Sequence, residues 1–250
     1  MKRAALVGSV CALIGVVAMA WGGSTPEASR ATTQDAHPPS PNVPLMNDHF
    51  ELVTGVHAAI VSGDLEGAQR RARQLAEGAH PVEMPPAAAP YITALRRAAG
   101  RAAAANGDPE DVAAATAAML AACGDCHRAV GTMPVMPRPP GSEVGGLVGH
   151  MLAHKTAADL MVQGLTIPST AAWREGARML ETAPLDRGEL PRDRKLTRAI
   201  AAEELRVHAL ASRAGEAPDQ RSRIYVYSEL LQSCSACHAL HKGVWGPAPH

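Results

Sequence analysis

Aromatic residues are scarce: Phe, Trp and Tyr together make up 3% of the 250 residues, and Phe50 is the single phenylalanine. Strands favour aromatic and β-branched side chains whereas alanine favours helix, so the tracts Arg101 to Ala105 and Val112 to Ala118 predict an all-α chain. An excess of either charge is also lacking. Lys plus Arg and Asp plus Glu number 24 each, which leaves no basic field to hold nucleic acid or an anionic membrane by charge alone. Nucleic acid is therefore not an expected partner. Spare cysteine is lacking as well, since of five in the chain four fall into two short motifs and none remains for structural disulfides.

The one long apolar run lies at the N-terminus. Met1-Lys2-Arg3 precedes an almost uncharged stretch from Ala4 to Trp21, with the small-x-small triplet Ala18-Met19-Ala20 near its end. That order of charge, apolar run and small residues predicts a signal peptide over 1–20 and export to the periplasm or an equivalent compartment. The alternative is an uncleaved anchor, with residues 4–21 as a membrane tether. The fifth cysteine, Cys11, lies inside this segment. From 21 to 45 the chain is rich in Pro, Ser, Thr and Gly without an apolar period, which reads as a disordered tether.

The remaining length suits two domains. A Pro/Gly-rich stretch over 132–146, beginning Thr132-Met133-Pro134-Val135-Met136-Pro137, reads as a linker between 46–131 and 147–250. The two parts resemble each other. Met46-Asn47-Asp48-His49 aligns with Met151-Leu152-Ala153-His154, and Ala72-Arg73-Gln74-Leu75 aligns at the same offset with Ala177-Arg178-Met179-Leu180, which marks a tandem repeat of roughly 90 residues. Each repeat reads as four helices. In the first, they start near Met46, Leu65, Tyr91 and Pro109, with Asp108-Pro109 as a cap-then-proline start and Gly131 as a stop. In the second they cover about Leu147 to Gly164, Ser169 to Thr182, Arg192 to Ala214 and Pro218 to Lys242. Four helices with short connections predict an antiparallel four-helix bundle, twice over, with a cysteine motif in the last helix of each.

Those motifs are Cys123-Gly124-Asp125-Cys126-His127 and Cys234-Ser235-Ala236-Cys237-His238. A zinc site made of two CxxC pairs keeps them about 15–20 residues apart, and a thioredoxin-like dithiol needs a βαβ setting and no histidine. Neither condition is met, one motif standing in each repeat with no strand pattern nearby. CxxCH in an exported chain instead points to haem c, with two thioethers from the cysteines and the histidine on the iron. Two covalent haems are expected, held by Cys123, Cys126 and His127 and by Cys234, Cys237 and His238.

No methionine follows the second motif, so a second axial ligand for that iron is expected from upstream, from another domain, or not at all. Met and His at i and i+3 share a helix face, and the repeated Met-x-x-His offers His49 to the first iron and His154 to the second. Met46 and Met151 are the alternatives, and His150, one turn before His154, is another for the second iron. His57 reads as a packing residue. His80, His208, His241 and His250 read as solvated, Met133 and Met136 as linker residues, and Tyr225 and Tyr227 as packing against haem or core.

A helical unit with CxxCH in its last helix resembles the class II c-type cytochromes, the cytochrome c prime family and its low-spin relatives. The resemblance covers most of the chain, twice. It implies four-helix bundles whose first helix covers the far face of the haem, five-coordinate iron in high-spin members and a first-helix ligand in low-spin ones. The expected function is one-electron transfer between redox protein partners, not enzymatic turnover. A protein that binds nitric oxide or carbon monoxide, or reduces peroxide, at one five-coordinate iron is the competing class.

Overall fold

The computed structural model describes residues 43–78, 84–141, 144–182, 185, 188, 190 and 193–245. The expected signal peptide and most of the tether lie outside them, as do His80 and His250. Ser40–His250 make one compact unit. Among the described residues the regular structure is helical: α1 (Val43–Val61), α2 (Leu65–Glu77), a short 3-10 turn at Pro86–Ala88, α3 (Ala89–Ala103), α4 (Pro109–Val130), α5 (Gly146–Thr166), α6 (Thr170–Thr182), α7 (Arg194–Glu216) and α8 (Gln220–Trp245). No strand occurs among them, and no helix is long and apolar enough to cross a membrane.

The helices start and stop where side chains can satisfy free backbone groups. Asp64 accepts from the Gly67 amide at the start of α2, and Asp108 accepts from Glu110 at the start of α4, whose first residue is Pro109. Asp193 does the same for Leu196 at the head of α7, which sets that start slightly beyond the expected Arg192. Gly131 closes α4 with φ 71°, a left-handed conformation that a Cβ would oppose. α8 runs past its expected end at Lys242, on to Trp245.

Within 43–130, α1 packs on α2, α2 on α3, and α3 on α4, with α1 closing back on α4. Within 146–245, α5 packs on α6, α6 on α7, α7 on α8, and α5 meets α8. The two sets of helices meet chiefly through α4 against α8, helped by α1 against α8 and α4 against α5. One apolar cluster takes Val53, Val56 and Ile60 from α1, Met119 and Leu120 from α4, Met161 and Leu165 from α5, Trp173 from α6 and Leu230 and Leu231 from α8. Alanines fill much of the rest, and their small side chains let the helices approach closely.

The segment after α4 is fastened to α5 and α6. Gln163 Nε2 donates to the Pro137 carbonyl at 2.9 Å and Thr156 Oγ1 to that of Pro140 at 3.1 Å, while Arg138 pairs with Glu175.

Candidate functional site

Near its C-terminal end α4 presents the first motif. Cys123, Cys126 and His127 stand at i, i+3 and i+4 on one side of the helix, and they line a cavity of about 290 Å³. The opposite wall comes from α1, with Met46, His49 and Phe50, and a third from Tyr91, Ile92 and Leu95 of α3. Pro134 to Pro137 and the end of α5, Thr166 and Ile167, complete it. The structure thus brings together every residue named for the first haem: both cysteines, His127, His49 and the alternative Met46. Met136 joins them from the linker.

The cavity suits haem in its donor set and in its lining. His127 Nδ1 lies 2.7 Å from the Thr166 carbonyl oxygen. A carbonyl only accepts, so Nδ1 carries the proton and Nε2 keeps its lone pair for a metal. The apolar walls suit a porphyrin, and His49, only 7% exposed, faces the same space as His127. Burial, with the neighbouring Cys126, pushes the Cys123 thiol up to about 12, and burial raises Cys126 too. Neutral thiols are poor dithiol nucleophiles, whereas a thioether carries no charge to desolvate.

Gly124, inside the motif, is what lets α5 come so near. A Cβ there would sit 2.0 Å from the Leu165 carbonyl oxygen and 3.3 Å from Pro168 Cγ. The close approach of α4 to this helix end delivers the next carbonyl, that of Thr166, to His127. The first motif is therefore buttressed by the chain of the second repeat.

The second motif has different surroundings. Cys237 is buried beside Leu190 and Ile200. Burial comes first in pushing Cys237 up to about 11 and Cys234 to about 12; the charge of Glu204 adds to both. Beside this motif stands a group of polar side chains. Glu204 Oε1 of α7 accepts from His208 Nε2 at 2.9 Å and lies 3.1 Å from His150 Nε2 and 3.8 Å from His154 Nε2 of α5. The rings of His150 and His154 are 4.2 Å apart. Neither ring nitrogen of His150 meets a hydrogen-bond partner in good geometry, nor does His154 Nε2, although both histidines stand within ion-pair distance of Glu204. Burial, and the adjacent His150, lower His154 to about 4, with His238 among the weaker contributors. Burial opposes ionisation of Glu204, but the surrounding histidines outweigh it and hold its carboxyl below the usual range.

His154 and His150 thus lie together beside the second motif, and Met151 is half-buried on the same helix. His208, read as solvated, is instead half-buried and bonded to Glu204; it stands one turn after Glu204 on the face of α7 that meets α5's histidines. The Glu204–His208 pair went unread, although its i, i+4 spacing is the signal that would have found it. Tyr225, read as packing, is 63% exposed beneath Arg213, because it falls on the outer face of α8. Tyr227, two residues on, is buried and shares a 2.7 Å hydrogen bond with His57.

Comparison with known proteins yields no family model, no curated protein and no solved structure that matches the chain.

Proposed function

We propose that the chain is an exported dihaem c-type cytochrome, folded as two four-helix bundles, that passes single electrons between redox protein partners. The observation that carries the reading is the cavity at α4, where His127 offers Nε2 with its Nδ1 already committed to Thr166, and His49 lines the same space. Cys123 and Cys126 would hold the first haem covalently, with His127 and His49 on its two faces. Cys234, Cys237 and His238 would hold the second, with His154 as its far-side ligand. The bound haem supplies a one-electron iron couple. The chain's own part would be to fix the His127 tautomer, to line the first haem's cavity with Phe50, Ile92 and Leu95, and to offer His49 and His154 as further iron ligands. Apolar lining and ligand identity then set the potential.

Two tests bear on this. A pyridine haemochrome assay should return two haems per chain, and the pair Cys123→Ser with Cys126→Ser should remove one of them; one haem or none in the unaltered protein would sink the reading. Ferric spectra should be low-spin. His49→Ala should convert one haem to high spin; an unchanged spectrum would pass the ligand role to Met46 or Met136, and a high-spin signal in the unaltered protein would favour ligand binding at an open iron.

A further inference from the structure

The haem reading leaves unexplained why the second repeat gathers three histidines around one carboxylate. Among the described residues nothing like it occurs in the first: His150 aligns with Leu45, and α3, the counterpart of α7, carries neither histidine nor carboxylate. The cluster is private to one repeat and serves something that repeat alone does.

We propose that His150, His154 and Glu204 form a site for a divalent cation of the zinc type, with His208 orienting the carboxylate. His150 and His154 are one turn apart on α5, as are Glu204 and His208 on α7, so each helix presents two groups on one face. One ligand atom each from His150, His154 and Glu204 lies within 4.8 Å of the others, close enough for a single ion to draw in all three. The second observation is His150 itself. Its side chain is 5% exposed and both ring nitrogens lack hydrogen bonds, a state that buried polar groups rarely occupy without a partner. Coordination at Nε2 would supply that partner. Two imidazoles and a carboxylate suit zinc and its first-row neighbours; magnesium and calcium prefer all-oxygen shells. His208 Nε2 lies 2.9 Å from Glu204 Oε1, the same oxygen that faces His150 and His154, and so holds the carboxylate towards the two imidazoles, a supporting arrangement common behind metal ligands. Three protein ligands leave a fourth position for water.

The site does not depend on the haem reading, but the two meet at His154. An ion that takes His154 denies it to the second iron. Zinc is therefore expected to displace one haem's far-side ligand.

The experiment uses the full, untagged protein as purified with its haem, stripped of loose metal by a chelator and titrated with zinc. Bound metal and the visible spectrum are followed together. One zinc per chain should bind, with magnesium and calcium unable to displace it. Glu204→Gln and His150→Ala should each weaken binding at least about tenfold, and His208→Ala by less, within the range of roughly 10 to 100-fold usual for supporting groups. Unchanged helical circular dichroism confirms that the variants fold. Absence of zinc binding, or binding indifferent to both Glu204→Gln and His150→Ala, overturns the site. Binding accompanied by one haem turning high-spin supports both the cation site and His154 as an iron ligand. Binding with an unchanged spectrum supports the cation site and removes His154 from the iron. A chain that binds zinc but contains no haem leaves the site standing and sinks the haem reading alone.

Discussion

His57 shows how a single side chain can make the fold sensitive to pH. It is buried on α1, its ring lies parallel to that of Tyr227 from α8, and its Nε2 is 2.7 Å from the phenol oxygen. Burial lowers its pKa from 6.5 to about 4; Asp159 opposes the change and Lys155 assists it. In the unfolded chain the imidazole takes up a proton near pH 6.5, whereas in the folded chain it resists until about pH 4. The stability this difference confers is full above pH 6.5 and drains away as pH falls towards 4, by at most about 3 kcal/mol for a shift of this size. Urea unfolding at pH 7.5, 6 and 4.5 should show that loss, and His57→Gln should reduce it, leaving the share of His154, which burial also lowers to about 4. A wild-type curve that does not move over this window would refute the assignment. Gly124 makes a second case. Gly124→Ala places a methyl group against the Leu165 carbonyl, which should cost about 1–3 kcal/mol in overpacking and drag Thr166 away from His127, and so, on the proposed function, perturb the spectrum of the haem held there. Equal stability and an identical spectrum would refute that role. The motif itself was legible in the sequence, because cysteine and histidine at fixed spacing are read locally. It did not show why Gly124 is glycine or what orients His127, since both depend on carbonyls at 165 and 166, which arrive from another helix and carry no side-chain signature.

At the scale of the element, helix ends were the most legible part of the chain. Asp108-Pro109 and Gly131 bound α4 as expected because capping and left-handed closure depend on the residue itself. Asp108→Ala should therefore lower stability by about 1 kcal/mol with haem spectra unchanged, the cap lying at the opposite end of α4 from the motif; a larger loss with altered spectra would mean that the whole of α4 moves. Less legible was the role of the Pro-rich segment after α4. Its composition announced a connector, yet Gln163, Thr156 and Glu175 fasten it along α5 and α6, and Val135 and Met136 wall the cavity. The partners of a segment without its own period lie elsewhere in the chain, so composition alone could not place it. The same limit hid the Glu204–His208 pair, whose meaning comes from the α5 histidines it meets.

At the scale of the whole molecule, the repeat predicts two units that could fold separately, and the packing ties their fates together. α4 and α8, the two motif-bearing helices, lie against each other, and one apolar cluster takes fully buried side chains from both repeats. Trp173 of α6, fully buried, donates from Nε1 to the Ala214 carbonyl and stands edge-on to Tyr227, which in turn bonds His57 of the first repeat. Removing apolar volume in the first repeat should therefore be felt in the second. Leu120 of α4 is fully buried in that shared cluster, and Leu120→Ala should cost about 2–5 kcal/mol. If the core is one cooperative unit, that loss moves the unfolding midpoint of every probe by the same amount: helical circular dichroism, which reports on α1 to α8 together, and tryptophan emission, to which Trp173 of the second repeat contributes. A Leu120→Ala midpoint that shifts by circular dichroism while the tryptophan transition stays in place would mean that the repeats unfold apart and that the α4–α8 contact does not couple them. Coincident shifts would mean that neither motif keeps its surroundings once the other repeat is lost, as expected where Thr166 of the second repeat holds the histidine of the first.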